Sequence, residues 1–293
     1  MTLPTGSDLE RLLERVEAKQ WADLFDAAPP VLASRERLAL HRHAGSLYLT
    51  AGGHDHPIFN RVMAVGLGDG PAVARAAEAA LERAAVHYRE AGVRRWMVQL
   101  LPHIESEAFR AAAREQGVIR LRGWAKHLGP ARADIPSRTD LRIVRVDGDL
   151  TSDERERLSE AWARIATENF GLPPAFAPWL QGLAGREGWL LYVAMDGDTP
   201  VATGALFLME VEGERFAELN FASTLPGQRG RGAQSALIAR RVADARDLGV
   251  QWVATETDEE VPDRPNPSYR NLKRLGFPAL YVRANWGPPK PKE

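Results

Sequence analysis

The sequence has no cysteine in 293 residues, which excludes disulfides, zinc–thiolate centres and cysteine nucleophiles and fits a reducing compartment. No run approaches the roughly 20 apolar residues of a membrane span. The opening stretch MTLPTGSDLERLLERVEAKQW is charged and amphipathic rather than apolar, so no signal peptide and a cytoplasmic address are expected. Net charge is nearly absent too: the formal value of −1 leaves no bulk drive toward nucleic acid or anionic lipid. Histidine is missing from the second half. All seven (His41, His43, His54, His56, His87, His103, His127) lie in the first, so a histidine base in a C-terminal site has to come from the N-terminal half. His54-Asp55-His56 lacks a third ligand at metal spacing, and no metal is expected.

What is present is a chain long enough for two cores, ordinary in apolar content (44%) and charge (26%). Its most informative stretch runs from Leu219 to Leu248. An apolar strand-like run ends at Thr224-Leu225-Pro226-Gly227. Then comes Gln228-Arg229-Gly230-Arg231-Gly232-Ala233-Gln234, and an Ala/Leu/Ile/Val pattern at helical spacing follows. A strand, a glycine loop and a helix in that order put unpaired N–H groups at a helix N-terminus, where an anion is favoured. Glycine lets a phosphate approach the backbone, and Arg229 and Arg231 add positive charge. A Walker loop and a G-x-G-x-x-G fingerprint are both absent.

Around this stretch the spacing predicts helices over 8–21, 72–91 and 105–116, and strands over 47–50, 61–67, 94–101 and 118–128. Residues 129–137 (GPARADIPS) form the expected linker. The second half reads as a strand (141–146), a helix opened by Thr151-Ser152-Asp153-Glu154, and a short helix over 175–183. Strands 189–195, 201–209 and 215–224 follow, with turns at Asp196-Gly197 and Glu212-Gly213. After the loop and helix come a strand (251–257), a short helix (268–275) and a last strand (279–285). The halves also echo each other. Ala80-Leu81, Gly92-Val93 and Gly117-Val118 correspond to Ala236-Leu237, Gly249-Val250 and Gly276-Phe277, an offset of roughly 156–160 residues that indicates duplication. The first copy has Gly68-Asp69-Gly70-Pro71 in place of the arginine–glycine loop, exchanging bases for an acid and removing an amide donor.

The loop resembles the acetyl-CoA loop of the GCN5-related N-acetyltransferases (GNAT), Q/R-x-x-G-x-G/A after a strand, matched from Arg229 through Gly232, with Gln234 where the family prefers Gly or Ala. The order β-α-α-β-β-β-α-β-α-β of the second half is that family's order. Asn266-Pro267-Ser268-Tyr269 through Gly276-Phe277 resembles its other stretch, N-x-x-(A/S)-x-x-x-Y-x-x-x-G-F, with Leu272 where the family has its tyrosine acid. The resemblance implies an α/β (α+β, mixed-sheet) fold of two tandem acyl-CoA N-acyltransferase domains. Residues 1–136 would be a degenerate copy without the loop, and 137–293 the acetyl-CoA-binding copy. It implies acetyl-CoA as co-substrate, held by Thr224, Leu225, Arg229, Gly230, Arg231, Gly232, Ala233, Gln234, Asn266, Ser268 and Asn271. Asn266 would bond the pantetheine arm, and Tyr269 would substitute for the missing tyrosine.

Amine acylation needs a base for the ammonium and a donor for the oxyanion. Glu218, on the strand feeding the loop, and Glu256, where the next strand should splay away, are the candidate bases, with Glu256 preferred. A backbone N–H on the strand before the loop can serve the oxyanion. Phe170, Phe176 and Trp179 lie where the family's acceptor pocket is usually lined and could hold an apolar or aromatic amine, although such residues are more often core. The expected activity is direct acetyl transfer to a primary amine of a small molecule or protein, and a homodimer is compatible with it. A non-catalytic acyl-CoA-binding protein is the alternative, favoured by Leu272.

Overall fold

The computed structural model describes residues 5–68, 72–131, 134–147 and 149–290. The first half contains α1 (Ser7–Asp26), α2 (Pro30–Glu36), β1 (Leu38–His43), β2 (Ser46–Ala51), β3 (Arg61–Met63), α3 (Ala72–Glu90), β4 (Met97–Leu100), α4 (Glu107–Glu115) and β5 (Ile119–Pro130). The second contains β6 (Arg142–Arg145), α5 (Ser152–Phe170), α6 (Ala177–Gln181), β7 (Trp189–Asp196), β8 (Thr199–Val211), β9 (Glu214–Thr224), α7 (Ala233–Asp247), β10 (Trp252–Asp258), α8 (Pro267–Arg274) and β11 (Ala279–Gly287).

Local chemistry accounts for most boundaries. At α5, the Thr151 side chain accepts the Glu154 N–H while the Glu154 carboxylate accepts the Thr151 N–H, and Gly171 closes the helix at φ 63°. Thr151→Ala is expected to cost about 1 kcal/mol, read as a lower urea midpoint at unchanged slope. The β8–β9 hairpin turns on Glu212 (φ 54°) and Gly213 (φ 79°). Two elements go beyond the sequence expectation, α2 and β1, whose short, weakly patterned segments gave little periodicity to read. The strand expected over 61–67 stops at Met63, because Ala64 takes φ 56°. The linker expected from Gly129 begins later: Gly129 and Pro130 still pair with Val253 and Trp252.

All strands form one 11-stranded sheet in the order β1-β2-β3-β4-β11-β5-β10-β9-β8-β7-β6. The last strand of each half is inserted into the other: β11 lies between β4 and β5, and β5 lies between β11 and β10. The register there has two-fold character. Ala125 pairs with Val282, and the flanking pairs Tyr281–Lys126 and Arg283–Trp124 exchange under a shift of 157 residues (282 less 125). Under that shift Arg61 corresponds to Glu218, Gln99 to Glu256, Lys126 to Arg283, and the positive-φ Ala64 to the positive-φ Phe221.

One face of the sheet is covered by α3 and α4 over the first half and by α7 and α8 over the second, each pair closing its own apolar core. The other face carries a core shared by both halves, containing residues of α1, α5, α6, β8 and β9. There α1 is fastened to the second half: Trp179 donates to Leu24 O (2.8 Å), and Arg186 and Trp189 both bond Asp23 (2.7 Å). Phe176 and Trp179 are fully buried in this aromatic core against Phe25 and Phe59, so of the two readings open for them the core one applies. Phe170, 43% exposed, faces outward against Phe221.

Candidate active site at the opening between β9 and β10

β9 and β10 pair in parallel only from Phe216–Trp252 to Glu218–Ala254, yet β9 continues to Thr224 and β10 to Asp258. The sheet therefore opens beyond Glu218, where the splay was expected. On the β8 side the register shifts between Thr203–Ser223 and Ala205–Asn220, a bulge with Phe221 at φ 48°, a left-handed conformation unusual for an aromatic residue. Side chains hold this shape. Arg241 donates to Asn220 O (3.2 Å) and Ala205 O (2.9 Å), Thr203 to Phe221 O (3.1 Å), and Thr255 to Leu219 O (3.0 Å). Burial lowers the Arg241 guanidinium to about 10.

At the mouth lies the glycine loop. Gly230 (φ 82°) and Gly232 (φ 81°) shape it, and Gly232 precedes α7 with no side-chain cap. Among the described residues no acceptor takes the N–H groups of Gly232, Ala233, Gln234 and Ser235, the orphan donors of a helix start. A Cβ on Gly232 would lie 2.1 Å from Arg138 O, whereas one on Gly230 meets open space. Gly232→Ala is accordingly expected to lose about 2–4 kcal/mol, adding a clash to the left-handed penalty. Gly230→Ala carries only that penalty, about 1–2 kcal/mol, and paired urea titrations compare the two.

The loop's other residues take specific places. Arg231 is spent on Asp140, Asp196 (2.6 Å) and Gln228, so its charge is directed back at the protein. Arg229 bonds Thr224 O (3.3 Å) and remains exposed. Gln234, the departure from the family pattern, donates to Thr224 Oγ1 (2.9 Å), tying the first turn of α7 to the end of β9. Leu225 N–H bonds Val201 O (3.0 Å), and Ala233 is buried in the α7 core. Across the opening, Asn266 caps α8 through Ser268 N (3.0 Å) and Tyr269 N (3.3 Å) while donating to Asp258 O (2.6 Å). Asn271 accepts from Ser235 Oγ (3.2 Å), joining α8 to α7. Ser268 is exposed, and Leu272 is buried in the core. Tyr269 meets the ring of His127 edge-on at 5.0 Å. His127, from the N-terminal half, donates its Nδ1–H to Phe277 O (2.9 Å), its Nε2 is buried without a partner among the described residues, and burial lowers its pKa.

On the α1 face of the same opening sits a buried charge cluster, and most of it was missed by sequence reasoning. Lys126 Nζ is 2.6 Å from Glu17, 3.3 Å from Glu218 and 3.8 Å from Glu256. Arg283 reaches Glu17 (2.5 Å), Glu256 (2.6 Å) and Glu14 (3.1 Å), and Tyr281 donates to Glu14 (2.8 Å). Arg61 lies 3.5 Å from Glu17, sandwiched between Trp21 and Trp124. Glu256, the preferred base from sequence, is thus held by Arg283 with its side chain 23% exposed, and burial first and Glu17 second raise its pKa. Burial alone would raise Glu17, but Arg283, Lys126 and Arg61 hold it well below its ordinary value. Glu218 is pushed by burial up to about 7, against Lys126 and with help from Glu17 and Glu256. Its Oε2 is buried and has no hydrogen-bond partner among the described residues. A carboxyl poised near neutrality with a free oxygen has the properties of a general base. The signal in sequence was the one that exposed Glu218, a charge among apolar strand residues; Arg283, the one charge of β11, shows it most clearly.

His54-Asp55-His56 braces the first half, Asp55 accepting from Arg94 N (2.9 Å) and Arg95 N (2.7 Å). Among the described residues no helix is long and apolar enough to cross a membrane.

No protein-family model matches the sequence, and no curated protein matches it. Solved structures do. A GCN5-related N-acetyltransferase from Kribbella flavida superposes with TM-score 0.59 at 16% identity, over 95% of this chain and 96% of its own. One from Sphaerobacter thermophilus gives 0.55 at 17%, over 87% and 83%. A tandem GNAT protein from the clavulanic acid biosynthesis pathway gives 0.56 at 17%, over 98% and 99%. The chain therefore has the tandem GNAT fold over nearly its whole length.

Proposed function

We propose that the protein is an acetyl-CoA-dependent N-acetyltransferase acting on a primary amine, with its site in the C-terminal half. The observation that carries this reading is the sheet opening beyond Glu218, bordered by the unbonded N–H groups of Gly232 to Ser235 and by a carboxyl raised to about 7. The loop amides suit a diphosphate. The edges of β9 and β10 suit an extended amide-containing arm, with Asn266, Ser268 and Asn271 alongside on α8. Acetyl-CoA supplies an activated thioester. Glu218 Oε2 takes the ammonium proton, and the freed nitrogen adds to the thioester carbonyl to form the C–N bond and a tetrahedral oxyanion; its collapse breaks the C–S bond, and the remaining extra proton on nitrogen leaves with the thiolate as the thiol. A bulge N–H receives the oxyanion. Tyr269, whose hydroxyl has no partner among the described residues, is the candidate donor to the leaving thiolate.

The test is thiol release from acetyl-CoA in the presence of a panel of primary amines. The protein has no cysteine, so a thiol reagent sees only product. Amine-dependent release supports the reading. Binding without release across aliphatic, aromatic and peptide amines supports the non-catalytic alternative, which the pairing of Glu256 with Arg283 favours.

A further inference from the structure

The inserted strand β5 and helix α1 place N-terminal side chains against Glu218. We propose that the N-terminal half completes the C-terminal site, with Glu17 and Lys126 as positioning residues that hold Glu218 and govern its exchange of a proton with the substrate. The inference rests on the acetyltransferase reading above.

Three observations carry it. Lys126 Nζ bridges Glu17 and Glu218 at 2.6 and 3.3 Å, all three side chains being almost fully buried. Among the described residues, the charges that act on Glu218 directly are Glu256 from its own half and Glu17 on α1, Arg61 on β3 and Lys126 on β5 from the first half, while Glu14 and Arg283 complete the cluster through Glu17 and Glu256. The third is the two-fold register. Arg61 stands where Glu218 stands in the other copy, and Gln99 where Glu256 stands, so the first half lacks both carboxyls at its own equivalent opening and directs a cation toward Glu17. The duplication has one base and two sets of supporting charges.

The experiment is the pH dependence of kcat/KM for Glu17→Gln and Lys126→Met in the full chain, with carbon-13 NMR titration of the Glu218 carboxyl. Removing the Glu17 negative charge is expected to move the acid limb about one pH unit down, and removing the Lys126 ammonium to move it about one unit up. Lys126→Arg keeps the charge and should hold the limb near wild type; it serves also if the methionine variant fails to fold. A structural role alone would lower rates with the limb unmoved, or move it the same way in both variants, and either result overturns the proposal. The titration separates the two readings. A Glu218 midpoint that moves in opposite directions while the rate profile stays fixed retains the electrostatic coupling and removes Glu218 as the base.

Discussion

Glu218→Gln is expected to lower kcat/KM at least 100-fold while leaving acetyl-CoA binding intact and making the protein more stable at pH 8. The loss follows from removing a general base, worth about 10²–10⁴ in rate. The gain in stability follows from linkage. The folded state raises Glu218 from 4.5 to about 7. A carboxyl raised on folding adds stability while both states are protonated, and that contribution is lost between pH 4.5 and about 7 as the buried group ionises. Glutamine remains neutral and keeps it. The difference is on the order of 3 kcal/mol at pH 8 and under about 1 kcal/mol at pH 5, measured as urea midpoints of the two proteins at both values. A variant with full activity would remove Glu218 from the chemistry. One that is less stable at pH 8 would show that the Lys126–Glu218 contact outweighs burial.

Arg283→Met is expected to be the most destabilising single change in the molecule, about 3–5 kcal/mol. The guanidinium is about 1% exposed and contacts Glu14, Glu17 and Glu256 between 2.5 and 3.1 Å, so methionine leaves three carboxylates without their shared partner. Breaking a buried pair costs far more than the pair contributes, because the remaining charge has been removed from water. Since β11 lies between β4 and β5, the loss should appear in one unfolding transition shared by both halves rather than in a separate melt of the C-terminal half. Chemical denaturation followed by tryptophan fluorescence and circular dichroism reads both features. A loss under 1 kcal/mol, or two separated transitions, would contradict this account of the junction.

Much of the second half was legible in the sequence because its signals are local. The continuous apolar run Trp189–Met195, the Thr151 capping box, the Gly213 turn and the Arg229–Gly232 loop each depend on residues a few positions apart. The splay beyond Glu218 was legible through the resemblance. What could not be read was the strand exchange, since nothing local tells β5 to pair with β10 rather than with its own half. The charge cluster was hidden for the same reason. Glu14 and Glu17 sit three apart on a helix whose apolar face dominates its pattern, and their partners Lys126 and Arg283 are more than 100 residues away. The preference for Glu256 over Glu218 came from the splay alone, without the Arg283 guanidinium that occupies Glu256. Phe176 and Trp179 stayed open between pocket and core because the sequence did not show that α1 packs onto α6.

The most direct test of the central claim is a thermal-shift titration of the full chain with acetyl-CoA, CoA, ATP and NAD. Ligand at about 100 times its dissociation constant stabilises the folded state by about 2.7 kcal/mol, a rise of a few degrees in a chain of this size. The account predicts that acetyl-CoA and CoA raise the melting temperature and that ATP and NAD do not. No shift with any of the four, or equal shifts with ATP and NAD, would mean that the opening between β9 and β10 and the amides of Gly232 to Ser235 are not an acyl-CoA site.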